Sequence, residues 1–345
     1  MSRHMQCETF AQLENRTPEA RIGVFPGRPS QRGIALILVL WISVILSMAA
    51  LSLSLLTRTE ALATLSAKEE MENRFLAEAG IQRGITELFY RHANRNQQVL
   101  LDGFEVFQCD GRPYTAKLAD GHYRITITEE SGKINLNTLT DNNGIILKNL
   151  LVNNGVAEDT AVIIVDSILD WKDKDNLHRL HGAEDEYYQS LPRPYKAKNA
   201  AFDSIEELVF VRGISRTILQ GSADGKGMLP FCTIHSTTDK INLLSAPPEV
   251  LKAIPGMTDD MIQRIMEYRD LSPAARVQHI AAWVGGDFSA IAPYVTTVES
   301  NVYSIDAIGY KGSEKRNYAV RAIVAVEGAQ KYRMLYFKSP AAVGS

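Results

Sequence analysis

The sequence predicts an α+β fold. A long N-terminal helix begins in a membrane, a small antiparallel sheet forms a head, and a mostly α-helical domain is inserted between the strands of that sheet. Three observations predict it. The run Ile34–Leu56, reading IALILVLWISVILSMAALSLSLL, holds no charge, no Pro and no Gly. Strand-like segments stand on both sides of a helical block. The tetrapeptide Lys133-Ile134-Asn135-Leu136 recurs as Lys240-Ile241-Asn242-Leu243.

The 23 residues of the apolar run are enough to cross about 30 Å of hydrocarbon as a helix. A helix satisfies its backbone internally, so such a run loses nothing in lipid. Helical signal continues through 57–98. There Leu62, Leu65, Phe75, Ala79, Ile85, Leu88 and Phe89 recur near helical spacing as one stripe, with Lys68, Glu69, Glu70, Glu72 and Arg74 opposite. Span and continuation together predict a helix of about 60 residues, or about 90 Å.

Residues 99–137 and 296–345 are assigned to the head. Tyr114–Leu118 and Tyr123–Ile127 flank a turn containing Asp120-Gly121, a hairpin signal. Tyr123, Ile125 and Ile127 alternate with polar neighbours, so one face is buried. Val302–Ile308, Tyr318–Val326 and Arg333–Phe337 complete the sheet. Residues 138–295 read as helical, with helices over Asn143–Asn153, Ala157–Trp171, Ser204–Val211, Pro248–Ala253, Asp259–Arg269 and Ala274–Val284. The simplest topology inserts this block into a loop of the head. Within it, Glu207-Leu208 through Gly213-Ile214-Ser215 echoes Glu249-Val250 through Gly256-Met257-Thr258. Each is a short helix, a Gly turn and a second helix, a helix-hairpin-helix-like (SAM-like) repeat.

A formal net charge of −3 argues against nucleic acid, which asks for a concentrated basic face. A DNA-binding hairpin would offer two glycines to a phosphate. Here Thr258 replaces the second, and Asp259 and Asp260 repel the ligand. The hairpin is therefore read as a scaffold for protein contact, with a membrane-anchored DNA-uptake receptor as the alternative. Cys109 and Cys232 form an even pair that an oxidising compartment could bridge, and the sequence leaves their proximity open.

An acidic stretch runs Asp170-Trp171-Lys172-Asp173-Lys174-Asp175, then Gly182-Ala183-Glu184-Asp185-Glu186-Tyr187-Tyr188. Closely spaced carboxylates on a loop suit a hard cation such as calcium, which takes six to eight oxygens. Leu177 and His178 occupy positions five and six counted from Asp173, so this is not an EF-hand. Spacing alone leaves both a metal site and a solvated acidic loop open. A metal-dependent hydrolase using His178 and His181 is a third alternative. No Gly-x-Ser-x-Gly elbow or phosphate-cradling Gly loop is present, and no catalytic set emerges.

Ser30-Gln31-Arg32-Gly33 abuts the apolar run without a spacer, which resembles the leader junction of type IV pilins and pseudopilins. That resemblance implies removal of residues 1–33 by a prepilin peptidase, which cuts between Gly33 and Ile34 and methylates Ile34. Most pilins carry Glu at the fifth mature position; here it is Leu38. The missing Glu, the acidic stretch, its continuation Lys198-Asn199-Ala200-Ala201-Phe202-Asp203-Ser204 and the Lys-Ile-Asn-Leu repeat together resemble component K of the general secretion pathway. That family comprises minor pseudopilins of type II secretion.

The resemblance implies a pilin-like spine and a non-enzymatic subunit at the pseudopilus tip that helps initiate assembly. It implies minor pseudopilins I and J, the prepilin peptidase and the inner-membrane secretion platform as partners. It also implies structural calcium on Asp173, Asp175, Glu184 and Asp185, with Asp170 and Asp203 as further candidates. Arg28 and Arg32 before the span favour a cytoplasmic N-terminus, hence a single-pass inner-membrane protein whose C-terminal part is periplasmic.

Overall fold

The structure, a computed structural model, describes residues 32–94, 107–222, 225–271, 279–286, 288–328 and 330–341. The expected leader, apart from Arg32 and Gly33, lies outside the described residues. The chain divides into two units, one through Thr64 and one from Leu65.

Helix α1 (Arg32–Ala93) begins in the first unit. Among the described residues it is the one helix long and apolar enough to cross a membrane, and none of its apolar window is buried. A core helix would hide such a surface; lipid accepts it. Two hydroxyls inside the run fold back onto the backbone, Ser43 donating to the Val39 carbonyl at 2.9 Å and Ser47 to the Ser43 carbonyl at 2.7 Å.

In the second unit, α1 lies on a sheet. Strand β1 (Asp110–Leu118) pairs antiparallel with β2 (Gly121–Glu129) around Ala119-Asp120. The chain then leaves the sheet for a domain that runs through β3 (Ile134–Asn135), α2 (Gly144–Asn153), α3 (Glu158–Lys172), α4 (Asp185–Gln189) and α5 (Arg216–Gln220). It continues through β4 (Gly221–Ser222), β5 (Gly225–Lys226), β6 (Cys232–Thr233), β7 (Ile241–Asn242), α6 (Pro248–Ala253), α7 (Asp259–Asp270), α8 (Ile280–Val284), α9 (Phe288–Ile291) and β8 (Val295–Thr296). Strands β9 (Val302–Tyr310), β10 (Asn317–Val326) and β11 (Tyr332–Lys338) return to complete a five-stranded antiparallel sheet ordered β1-β2-β9-β10-β11.

Ala77, Ile81, Ile85 and Leu88 of α1 meet Ile125, Ile127, Ile305, Val320 and Val324 in one core cluster. The expected stripe holds in its C-terminal part, where Ile85 and Leu88 are buried and Phe89 packs against them, and fails at Leu62, Leu65 and Phe75, which are exposed. The sheet selects the side of α1 that carries Gly80 and Gly84, where backbones approach closely. A Cβ on Gly84 would stand 2.8 Å from Ile305, and one on Gly309 of β9 would stand 2.1 Å from the Asn73 carbonyl.

The inserted domain has its own core, which includes Ile134, Leu136, Leu147, Ile168, Leu208, Leu243 and Leu251. Ile134 and Leu136 therefore pack in this core rather than in that of the sheet. Ser204–Val211 forms a 3-10 turn over Ile205–Phe210, closed by a Ser204/Glu207 capping box. Of the expected helix Ala274–Val284, residues 274–278 lie outside the described residues and Ile280–Val284 is helical.

The two echoes share one geometry. Gly213 and Gly256 both turn at φ 83°, and a hydroxyl then caps the next helix, Ser215 over Ile218 N and Thr258 over Met261 N. Asp259 and Asp260 occupy the first turn of α7, where they cancel the positive pole that a phosphate would need.

Candidate metal centre

Helix α3 buries Ile164, Ile168 and Trp171 and ends at Lys172, with Asp173 as C-cap in extended backbone. The chain then loops to Glu184, which caps α4 from extended backbone. These two helix ends bring together Asp173, Asp175 and Glu184. One carboxylate oxygen from each lies within 4.8 Å of the others.

Glu184 is only 3% exposed, and neither of its carboxylate oxygens has a hydrogen-bond partner. Burial pushes its pKa up to about 7, and the charges of Asp170, Asp173, Asp175 and Asp185 push the same way. Asp173 is divided: Oδ2 accepts from Arg179 Nη1 at 2.8 Å, while Oδ1 is buried without a partner. A buried unpaired carboxylate costs several kcal/mol unless a cation meets it. Hard, anionic oxygens are the donors that calcium takes, so this set fits such an ion.

Of six sequence-predicted ligands, the structure gathers three. Asp170 is fully buried but committed to Arg179, accepting from its backbone N at 3.1 Å and its Nη1 at 2.7 Å. Asp185 accepts from Ala197 N at 3.0 Å and pairs with Lys196 at 3.3 Å. The Asp203 side chain is 90% exposed and pairs with Lys198 at 2.7 Å. These three carboxylates shape the loop and its surroundings from outside the cluster.

Two residues do more here than neutralise or punctuate the acidic stretch, as the sequence suggested. Arg179 clamps Asp141, Asp170 and Asp173 together, a role hidden because its partners are up to 38 positions away. Gly182 is required by contact, since a Cβ there would stand 1.8 Å from Asp170 Oδ2; the Gly before Ala183-Glu184 was its one signal. His178 Nδ1 lies 3.0 Å from the Arg179 carbonyl, and His181 donates its backbone N to Asp166 at 3.1 Å. Neither imidazole joins the carboxylate trio, so the hydrolase constellation is not assembled among the described residues.

Cys109 and Cys232 do not bridge. Cys109 is a buried free thiol in the sheet cluster and Cys232 one in the insert's cluster. Each is surrounded by its own core, and burial pushes both thiols up to about 12.

Comparison with known proteins gives a consistent picture. Residues 132–222 match the family model described as type II secretion system (T2SS), protein K. That span contains the whole carboxylate loop. A putative type II secretion system protein K of Escherichia coli K12 is 23% identical over 290 residues, 79% of this chain and 85% of that protein. Type II secretion system protein K of Pseudomonas aeruginosa is 27% identical over 258 residues, 68% of this chain and 72% of that protein. In solved structures, a chain of the GspK-GspI-GspJ complex from the type 2 secretion system of enterotoxigenic Escherichia coli superposes with a TM-score of 0.58 at 16% identity. The match covers 83% of this chain and 99% of that one, and shows a shared fold.

Proposed function

This chain belongs to the family of type II secretion system protein K, the minor pseudopilins of that system, and on that premise we propose that it caps the pseudopilus tip and helps initiate its assembly. The observation that carries the tip placement is Leu38. The whole of Ile34–Leu56 lacks a carboxylate, and a carboxylate in lipid is retained only where it has a partner. A subunit with no neighbour above it has no use for one.

In this reading, α1 anchors the chain in the inner membrane with its N-terminus cytoplasmic and the second unit periplasmic. The prepilin peptidase cuts after Gly33 and methylates Ile34. Minor pseudopilins I and J are the neighbours, supported by the likeness to a chain of the GspK-GspI-GspJ complex, and the inner-membrane platform drives extension. Asp173, Asp175 and Glu184 hold calcium, which neutralises their repulsion and fixes the loop between α3 and α4.

The tip placement is tested with Leu38→Glu in a secreting strain. Unchanged secretion with the subunit still confined to tip complexes is expected; incorporation along the shaft would overturn it. Calcium is tested by titrating the EDTA-stripped full-length protein in detergent with Tb³⁺. Trp171, two residues before Asp173, serves as the sensitiser, and sensitised emission that calcium displaces is expected.

A further inference from the structure

Four buried side-chain oxygens around this loop have no hydrogen-bond partner: both of Glu184, Oδ1 of Asp173 and Oδ1 of Asn199. The first three belong to the carboxylate trio. The fourth does not, and it is an amide.

Asn199 sits on a third segment laced to both ligand-bearing elements. Ala197 N donates to Asp185 Oδ1 at 3.0 Å, which ties the segment to the start of α4, beside Glu184. Asn199 N donates to the Trp171 carbonyl at 2.9 Å, which ties it to the end of α3, two residues before Asp173. The backbone of Asn199 is left-handed, with φ 50°. Asn tolerates that conformation better than most residues, yet it costs free energy and persists where surroundings demand it. Here it accompanies a carbonyl oxygen buried without a donor, at a cost of about 1–3 kcal/mol if nothing meets it.

We propose that Asn199 Oδ1 is a further ligand of the cation held by Asp173, Asp175 and Glu184; this rests on the calcium reading above. The chemistry favours an amide at this point. Three carboxylates already exceed the charge of a divalent ion, so the site lacks oxygens rather than charge. A neutral carbonyl adds a hard oxygen toward the six to eight that calcium takes without adding charge. With Arg179 on Asp173 Oδ2 and Leu177 N on Asp175 Oδ1, the oxygens left for the ion are Asp173 Oδ1, Asp175 Oδ2 and both of Glu184, and Asn199 Oδ1 would add to them.

The experiment compares wild type, Asn199→Gly, Asn199→Asp and Glu184→Gln, each as full-length protein in detergent after EDTA treatment. Calcium affinity is measured by calorimetry, and bound water by Tb³⁺ emission lifetimes in H₂O and D₂O. Glycine accepts the left-handed backbone, so Asn199→Gly removes the oxygen while keeping the turn. Its calcium affinity should fall roughly 10- to 100-fold, its Tb³⁺ should gain about one bound water in the vacated position, and its melting temperature in EDTA should be no lower than that of wild type. Asn199→Asp retains a donor and should recover most of the affinity. Wild-type affinity and lifetime in Asn199→Gly, alongside loss of binding in Glu184→Gln, would overturn the Asn199 assignment and leave the site standing. Equal losses in the Gly and Asp variants would assign Asn199 a backbone role and overturn it too. Failure of wild type itself to bind calcium would instead remove the premise.

Discussion

Replacing Glu184 by Gln should change stability in opposite directions with and without calcium. In the metal-free protein the Glu184 carboxylate is buried, unpartnered and surrounded by four aspartates, which lifts it from 4.5 to about 7. One pKa unit corresponds to about 1.4 kcal/mol, so the full shift sets an upper bound near 3 kcal/mol. Solvent reaching the exposed Asp175 side of the cluster reduces this to on the order of 1–2 kcal/mol. The sign follows from proton binding. The folded form holds the Glu184 proton more tightly than the unfolded form, so metal-free stability falls as pH rises from about 4.5 to about 7 and is level above. Glu184→Gln cannot ionise. At pH 8 in EDTA it should melt higher than wild type, by about 2–4 °C per kcal/mol for a unit of this size, and the two should converge at acidic pH. In calcium at about 100 times its Kd, wild type gains about 2.7 kcal/mol and the variant little, so the order reverses. Differential scanning fluorimetry of the full-length protein in detergent reads both limbs. A variant less stable than wild type in EDTA at pH 8 would refute the argument, because it would mean that Glu184 is satisfied without a metal.

Further outcomes follow from the same contacts. Gly182→Ala drives a methyl into Asp170 Oδ2, 1.8 Å away, and should cost about 1–3 kcal/mol and weaken calcium binding; a calorimetric titration with a melting curve checks both. Gly309→Ala, which meets the Asn73 carbonyl at 2.1 Å, should lower the melting temperature, whereas Gly328→Ala, with no atom within 4 Å, should leave it unchanged. Cys109 and Cys232, with thiols pushed up to about 12, should resist a maleimide at pH 8 in the native protein. Both should react in guanidinium without prior reduction. Lys133→Met should cost about 3–5 kcal/mol by stranding the buried Glu130, and Lys133→Met/Glu130→Gln should recover part of it, a coupling that a double-mutant cycle in urea would measure.

Much of the fold was legible because its signals are local. The apolar run needs no partner to declare itself, and alternation at Tyr123, Ile125 and Ile127 marks a half-buried strand wherever that strand pairs. The stripe on α1 held at Ile85, Leu88 and Phe89 and misled further up, because sequence periodicity counts large apolar residues, while the sheet chose the side where Gly80 and Gly84 permit close approach. Leu62, Leu65 and Phe75 were left exposed. The acidic loop was legible as a loop, but its ligands only in part: Asp173, Asp175 and Glu184 are gathered, while Asp170, Asp185 and Asp203 are not. Whether a carboxylate is free for a metal depends on which donors already occupy its lone pairs. Asp170 is taken by Arg179 and Asp185 by Ala197 N, contacts that spacing does not encode. Asn199 was invisible for the complementary reason: only burial shows that its carbonyl lacks a donor.

The internal repeat gains its meaning where the sheet gives way to the insert. Both copies of Lys-Ile-Asn-Leu place their Ile-Asn in a short parallel strand pair, β3 with β6 and β7 with β8. In both, the Asn side chain accepts from the backbone N two residues on, Asn137 at 3.0 Å and Leu244 at 2.9 Å. At the end of β2 stand two buried carboxylates, and each addresses a different copy. Glu129 accepts from Asn242 Nδ2 of the second copy at 2.6 Å, and from Ser131 and the backbone N of Ser300. Glu130 pairs with Lys133 of the first copy and accepts from Thr233 and from Ser304 of β9. Burial raises Glu129. For Glu130 burial acts in the same direction, but the Lys133 charge and the hydrogen bonds outweigh it and leave that carboxyl lowered. Polar groups this deep are tolerated only when fully satisfied, and once satisfied they fix one arrangement. Two adjacent residues thus join the sheet to both copies of the tetrapeptide, and each copy supplies a different partner.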